Sequence, residues 1–499
     1  MSKQIIGRIK EIHKLNAILN SSQSELVAIY GRRRVGKTFL IRKTFDDNPK
    51  LFYFEVSGEK EGTFYDQLEN FRKNCEKYFK IDVPIKEFAN WKEAFATFTK
   101  LLLKMPVSKK IVIFFDELPW LATPKSKILQ SLDYYWNNEW SKIDRLKLII
   151  CGSAASWMLK KIIHAKGGLH NRLTQKIHLT PFSLDESKKY LSSSKINIEN
   201  IEILKLYLSV GGIPYYLSLM DKGKSAVEII QALLFAKEGP LFDEFDILFK
   251  SLYTESEIHV KILLTVAKSR YGISRSMLLE ETSSSSGGGI NDKIEELVAA
   301  DFIEKFIPYG RTKKDYYLRL ADEFIYFYIK WIKNKKEAIK KTPDYWFNIF
   351  NSSSYESWAG YAFENLCIKN VELIIKKLKL ESLVKEVGSW RYCSERTYEK
   401  QKKTQFKKST SNKGAQIDLL IERKDNVIIL FEIKFTNSKF TISKAYYQEL
   451  TNKIDVFKRE TNCKKQIFLA MITWWGLNHN QYSQEIVSFD LTAEEIFFS

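Results

Sequence analysis

The sequence predicts a multi-domain α/β protein, and three observations predict it. The chain has 499 residues, too many for one hydrophobic core. A glycine-rich loop near its start lies between an apolar strand and an amphipathic helix. Near its end, two apolar strands carry an aspartate, a glutamate and a lysine at strand spacing. Each end therefore reads as its own α/β unit, with helical segments between them. The expected divisions are 1–183, 184–252, 253–335 and 340–499.

Composition narrows the class. The chain is 44% hydrophobic and 14% aromatic, enough for packed interiors, which excludes global disorder. Lysine and arginine number 79 against 60 acidic residues, giving a net charge of +19. Such a surplus fits a polyanionic partner, DNA first. A lysine-rich, solvated surface accounts for it as well. Cys75, Cys151, Cys367, Cys393 and Cys463 are scattered and never form a CxxC pair. That pattern speaks for reduced thiols and against a disulfide frame or zinc site. No apolar run reaches membrane-span length, and "MSKQIIGRIKEIHKL" lacks the form of a signal peptide. The expectation is a cytoplasmic protein without a membrane partner.

The first unit is read from "ELVAIYGRRRVGKTFLIRKTF", which begins at Glu25. Its G-x-x-x-x-G-K-T pattern, Gly31, Gly36, Lys37 and Thr38, sits in the strand–loop–helix context of a phosphate-binding loop. Glycines let backbone N–H groups curl around a phosphate, and the helix N-terminus adds positive potential. The expected contact set is Gly31, Arg32, Arg33, Arg34, Val35, Gly36, Lys37, Thr38 and Phe39. Lys37 reaches the β- and γ-phosphates of ATP, and the Thr38 hydroxyl ligates Mg2+.

A second strand, "KKIVIFFDELPWLA", is apolar throughout, as a strand buried on both faces should be. Asp116 and Glu117 stand at its C-terminal end, where an α/β sheet places its site. Asp116 would hold Mg2+, and Glu117 would orient the attacking water. Another strand, in "RLKLIICGSAASWM", ends at Ser153, a γ-phosphate sensor or a helix cap. Arg172 precedes a further strand; it reads as a finger toward a neighbouring subunit's phosphate or as a surface arginine.

These stretches, with "IIGRIKEIHKL" and "LTPFSLDE", resemble the archaeal-type ATPase family, P-loop proteins near the AAA+ and STAND branches. The resemblance implies an AAA+-like P-loop ATPase core that binds ATP and Mg2+ and forms a nucleotide-dependent homo-oligomer. It implies that Gly7 and Arg8 pack against adenine. "VGGIPYYL" resembles the family's lid motif, with Pro214 at the nucleotide.

The middle is helical from about 184 to 250, by apolar spacing of three and four, and reads as a lid. Next come helix, helix, a Ser/Gly break, helix and a hairpin tipped by "YGRTKK", the order of a winged helix. Such a module places its third helix in a DNA groove. Here that helix offers Asn291, Asp292, Lys293, Glu295 and Glu296, while the tip offers Arg311, Lys313 and Lys314. The module either touches a DNA backbone through its tip or packs on the lid and relays nucleotide state. "LADEFIYFYIKWI" is an aromatic stripe at helical spacing, read as a buried bridge.

The last unit opens with a helix carrying Glu364, then a strand. A lysine-rich loop follows, with Lys400, Lys402, Lys403, Lys407, Lys408 and Lys413. Asp418 lies in "QIDLLIE", and Glu432 and Lys434 share one face of "VIILFEIKF". This order resembles the PD-(D/E)XK superfamily, although Gln416 and Ile417 stand where a proline usually precedes the aspartate. The resemblance implies a restriction-endonuclease-like α/β domain. In it Glu364, Asp418 and Glu432 bind Mg2+, a hard cation suited to oxygen ligands. Asp418, Glu432 and Lys434 would be catalytic, and the basic loop would steer DNA.

Overall fold

The computed structural model describes residues 4–46, 48–165, 168–253, 255–282, 287–312, 314–392 and 414–498. The lysine-rich segment, Lys313 and part of the Ser/Gly break therefore lie outside the described residues.

The N-terminal unit is built on five parallel strands: β1 (Glu25–Tyr30), β2 (Leu51–Ser57), β3 (Lys110–Asp116), β4 (Leu146–Gly152) and β5 (Gln175–His178). Their order is β2-β3-β4-β1-β5. The apolar runs are buried on both faces because successive residues feed two separate cores. Val27, Ile29, Val112 and Phe114 face one. Leu26, Ala28, Ile113 and Phe115 face the other, under an aromatic layer that includes Phe54, Phe71, Phe95 and Trp140. β2 has no counterpart in the sequence reading. Glu55, mid-strand and buried, pairs with Arg42 of the phosphate-loop helix, which offsets the cost of its charge.

Residues 184–252 are helical, ending in the helix Glu244–Leu252. Helices Ser256–Ala267, Arg275–Glu281 and Gly287–Ala299 follow. They pack with the small sheet of β6 (Ile273–Ser274), β7 (Ile303–Phe306) and β8 (Tyr317–Leu320). The helix Gly287–Ala299 turns acid groups toward the ATP-loop unit: Lys160 lies 3.4 Å from Asp292 and 3.7 Å from Glu296. The hairpin tip docks at the opposite end. The Tyr309 backbone N–H donates to the Ser389 carbonyl at 2.8 Å, and its hydroxyl donates to Glu422 at 2.7 Å. Arg311 and Lys314 of the tip, and Asp292 of the helix, remain exposed.

The bridging helix Glu323–Trp331 buries Phe324, Ile325, Phe327, Tyr328 and Trp331. Trp331 and Phe327 meet Trp346 and Trp358 edge-on at 5.3–6.2 Å between ring centres, a favoured geometry for aromatic pairs. Through this cluster one apolar core runs continuously from a face of the N-terminal sheet, through the middle, to the helix Ser353–Lys369. Two further cores stay local, one within the N-terminal unit and one within the C-terminal sheet.

The C-terminal sheet comprises β9 (Val384–Tyr392), β10 (Ala415–Arg423), β11 (Val427–Lys434), β13 (Gln466–Thr473) and β15 (Val487–Thr492). A two-strand ribbon joins β12 (Phe440–Thr441) to β14 (Leu477–Asn478). The sheet order is β15-β13-β11-β10-β9. β9, β10 and β11 are antiparallel, while β11, β13 and β15 are parallel. Helix Ser353–Lys369 crosses one face, with Phe363 against Phe435 at 5.2 Å. Helix Lys444–Glu460 covers the other with Leu450, Val456 and Phe457. Among the described residues, no helix is long and apolar enough to cross a membrane.

Candidate functional site: the phosphate loop and the C-terminal carboxylates

β1 delivers the chain into the loop at Gly31, whose φ is +148°. A Cβ there would lie 2.2 Å from the Leu179 carbonyl, so only glycine allows this approach. Gly36 is left-handed at φ +91°, and a Cβ there would meet nothing within 4 Å. The space over the loop is open, as a phosphate cradle requires. The buried Lys37 ammonium fills the loop for now, donating to the Gly31 and Arg32 carbonyls at 2.8 and 2.9 Å.

The Thr38 hydroxyl donates to Asp116 Oδ2 at 2.8 Å. Parallel pairing across β1, β4 and β3 brings the loop and the end of β3 to one sheet edge. Burial raises Asp116 to about 6, against the lowering effect of the Thr38 bond. The buried Asp116 carboxylate and the Thr38 hydroxyl are two adjacent oxygen donors that fit Mg2+. Glu117 is left-handed at φ 49°, an uncommon state for a residue with a side chain. Its Oε2 accepts from both the N–H and the hydroxyl of Ser153 at 2.9 Å. Ser153 thus contacts the glutamate, a partnership the sequence reading did not foresee.

The loop arginines do not all turn to the phosphate cradle. Arg32 is 1% exposed, pairs with the buried Asp322 and lies 4.8 Å from the Phe302 ring. Its Nε and Nη2 have no hydrogen-bond partner. Arg34 pairs with buried Glu244 at 2.6 Å and lies over Tyr215 at 4.3 Å. These two side chains fasten the loop to the start of the helix Glu244–Leu252 and of the bridging helix. Arg33 is half-buried and Phe39 exposed, while Val35 is in the core.

Arg8 donates to the Val35 carbonyl at 3.2 Å and stacks on Phe182 at 4.6 Å. Gly7 is left-handed at φ +64°, a conformation that favours glycine. Pro214 opens the helix Pro214–Leu217, next to the Tyr215 that meets Arg34. Arg172 is exposed at the end of the turn Gly168–Arg172.

In the C-terminal unit, the register Leu419↔Phe431 brings Asp418 beside Glu432. Helix Ser353–Lys369 lays Glu364 near them. Burial pushes Glu364 well up, with Asp418 and Glu432 adding repulsion. Burial and Glu432 lift Asp418 to about 6. Glu432, 3% exposed, behaves differently. Burial would raise it, but Lys434, Lys453 and Tyr446 outweigh that and hold it below the usual range. Lys434 and Lys453 both approach Glu432 at 2.9 Å, and the Tyr446 hydroxyl donates to it at 2.6 Å.

The sequence therefore names three carboxylates that do feel one another. It does not name Lys453 or Tyr446, although their seven-residue separation puts them on one face of the helix Lys444–Glu460. Among the described residues, no group of three or more His, Cys, Asp or Glu could hold a metal ion. Glu364, Asp418 and Glu432 are nonetheless brought together at one place on the sheet. In this arrangement Glu432 is taken by two ammonium groups and a phenol, and the cluster is neutralised without a metal.

Comparison with known proteins agrees with the N-terminal geometry. Residues 6–220 match an ATPase domain predominantly from Archaea. Residues 328–448 match a family described as archaeal and bacterial proteins of unknown function. An uncharacterized protein of Methanocaldococcus jannaschii is 25% identical over 464 residues, spanning 90% of this chain and 91% of that one. An uncharacterized ATP-binding protein of the same organism is 44% identical over 46 residues, 9% of this chain and 76% of that one. Among solved structures, the Walker-type ATPase of Pyrococcus abyssi is similar with TM-score 0.47 and 19% identity, over 65% of this chain and 96% of that one. The ORC2 protein of Aeropyrum pernix is similar with TM-score 0.41 and 15% identity, over 68% and 95% respectively. Residues 6–220 are thus similar to an ATPase domain found predominantly in Archaea, and residues 328–448 to a family of unknown function.

Proposed function

We propose that this chain is an ATP-hydrolysing switch whose nucleotide state governs a DNA-processing, nuclease-like C-terminal domain. The observation that carries the reading is the double anchorage of the phosphate loop. The loop that would hold ATP is the same loop that grips Glu244 and Asp322 through Arg34 and Arg32. A change in the loop is therefore felt at once by the lid and the bridging helix.

In this reading Lys37 exchanges the Gly31 and Arg32 carbonyls for the β- and γ-phosphates. Thr38 and Asp116 hold Mg2+, which would neutralise phosphate charge. Glu117 leaves Ser153 to orient and deprotonate the attacking water. Gly7, Arg8 and Pro214 border the base. Arg172 would reach the nucleotide of a neighbouring copy in a nucleotide-dependent homo-oligomer, so Arg172→Ala should lower hydrolysis while binding persists.

The helix–strand–hairpin order and the Asp418, Glu432 and Lys434 set support the nuclease-like reading, with DNA as the substrate favoured by the +19 charge. The arrangement described is the neutralised one, and the reading assigns the competent arrangement to another nucleotide state. A second reading has its own observation: Glu432 is fully satisfied by Lys434, Lys453 and Tyr446. That favours a nucleotide-switched scaffold that holds nucleic acid or a partner without cutting. DNA incubated with the chain, divalent metal and ATP separates the two. Cleavage lost in Glu432→Ala supports the nuclease, and ATP-dependent assembly without cleavage supports the scaffold.

A further inference from the structure

The phosphate loop and the C-terminal carboxylates lie at opposite ends of the sequence, yet a short run of charged contacts joins them. Arg32 of the loop pairs with Asp322, and both are buried. Asp322 also caps the bridging helix, accepting from the Ile325 N–H at 2.7 Å. Its neighbour Glu323 accepts from Lys369 Nζ at 2.7 Å. Lys369 donates as well to the Ala321 carbonyl at 2.9 Å. Lys369 is the last residue of the helix Ser353–Lys369, and Glu364 is carried on that helix five residues earlier. At a rise of about 1.5 Å per residue, the two are about 7.5 Å apart along the axis.

The tripeptide Ala321–Asp322–Glu323 is thus held from both sides. Phe302, which lies under Arg32, accepts from the Ala321 N–H at 3.0 Å through its carbonyl. The lid touches the same point, since a Cβ on Gly211 would lie 3.1 Å from Glu323. A cavity of about 20 Å3 lies here, bordered by Asp322, Glu323, Ala362, Asn365 and Lys369. That volume holds about one water, so the junction has room to shift without breaking the apolar core around it.

We propose that residues 321–323 form a relay. Movement of Arg32 shifts Asp322, Glu323 carries the shift to Lys369, and the helix of Glu364 repositions against Asp418 and Glu432. The proposal rests on the reading that nucleotide state reaches the C-terminal domain, and it names the route. The route is two charged contacts, Arg32–Asp322 and Glu323–Lys369, joined by the backbone at the start of the bridging helix and ending on the helix of Glu364. Arg32 is suited to the task. A guanidinium with two unpaired buried donors is held by one carboxylate and one ring, so its position is sensitive to the loop.

The test is hydrogen exchange on the full chain, with and without AMP-PNP and Mg2+, for wild type, Lys369→Met and Lys369→Arg. In wild type, AMP-PNP protects the phosphate loop and changes exchange in Ser353–Lys369 by about fivefold or more, the low end of ordinary coupling. In Lys369→Met the loop is still protected, but the change in that helix is lost. Lys369→Arg retains it. Asp322→Asn, which keeps the helix cap, repeats the loss from the other side of the relay. A protected loop with no response in the wild-type helix overturns the relay. So does a response that survives in both Lys369→Met and Asp322→Asn. A loop that AMP-PNP does not protect overturns the ATP reading itself, and the relay with it.

Discussion

Asp322→Asn should be among the most damaging single-atom changes available to this chain. Asn is nearly isosteric with Asp and still accepts the Ile325 N–H through its side-chain oxygen, so the cap is retained. What is lost is the carboxylate paired with Arg32. That arginine is 1% exposed, and two of its nitrogens already lack partners. Burial lowers its pKa, the signature of a charge held away from water. Removing one partner of a buried pair costs about 3–5 kcal/mol, because the other charge is left uncompensated. Replacing the cation alone by an apolar chain strands the buried Asp322 carboxylate in turn, so Arg32→Met should also cost about 3–5 kcal/mol. Removing both charges is cheaper, so adding Arg32→Met to Asp322→Asn should recover most of the loss. Urea denaturation followed by tryptophan fluorescence reads these differences as shifts of midpoint at constant slope. A double variant no more stable than either single one, or a cost under about 1 kcal/mol for Asp322→Asn, would refute the reasoning.

Three further outcomes follow from the geometry. Lys37→Ala should abolish ATP binding by calorimetry, whereas Glu117→Gln should keep binding and slow hydrolysis about 10²–10⁴-fold, the usual worth of a general base. Glu422 is buried, which would raise its pKa, but bonds from Lys385, Lys465 and Tyr309 prevail and hold it at about 2 instead of 4.5. For a depressed carboxylate the stability is present above the unfolded value and lost as pH falls. The contribution should fade from about pH 4.5 toward 2; Glu422→Gln should remove it at neutral pH, about 1–2 kcal/mol after solvent screening of the lysines, and flatten that part of the acid-denaturation profile. Lys453→Met takes one cation from Glu432 and should let the three-carboxylate cluster take up Mn2+, seen by calorimetry as binding that wild type lacks without nucleotide.

Much of the N-terminal site is legible in the sequence because its chemistry is local. Gly31 to Thr38 form one turn between a strand and a helix, and Asp116 and Glu117 end one apolar run. The C-terminal hairpin is legible for the same reason: β-pairing of adjacent strands fixes Asp418 opposite Glu432. The partners were not legible. Glu244, Asp322 and Tyr215 reach the loop arginines from far along the chain, and no periodicity announces which acid meets which arginine. β2 escaped because an acidic residue interrupts its apolar run, and only the fold supplies Arg42 to balance it. The lysine partners of Glu432 were not legible for a related reason. The spacing of three carboxylates is visible, but two lysines that occupy one of them, one from another helix, are a tertiary fact.

The account turns on whether ATP governs chemistry at the C-terminal end. The most direct measurement is an endonuclease assay on the purified chain. It would use single-stranded, duplex and branched DNA, with Mg2+ or Mn2+, with and without ATP, beside Glu432→Ala. The account predicts cleavage that responds to ATP and disappears in Glu432→Ala. Intact ATP hydrolysis with no cleavage of any substrate would contradict it, and would leave the neutralised Glu432 cluster as the working state of a non-cutting switch.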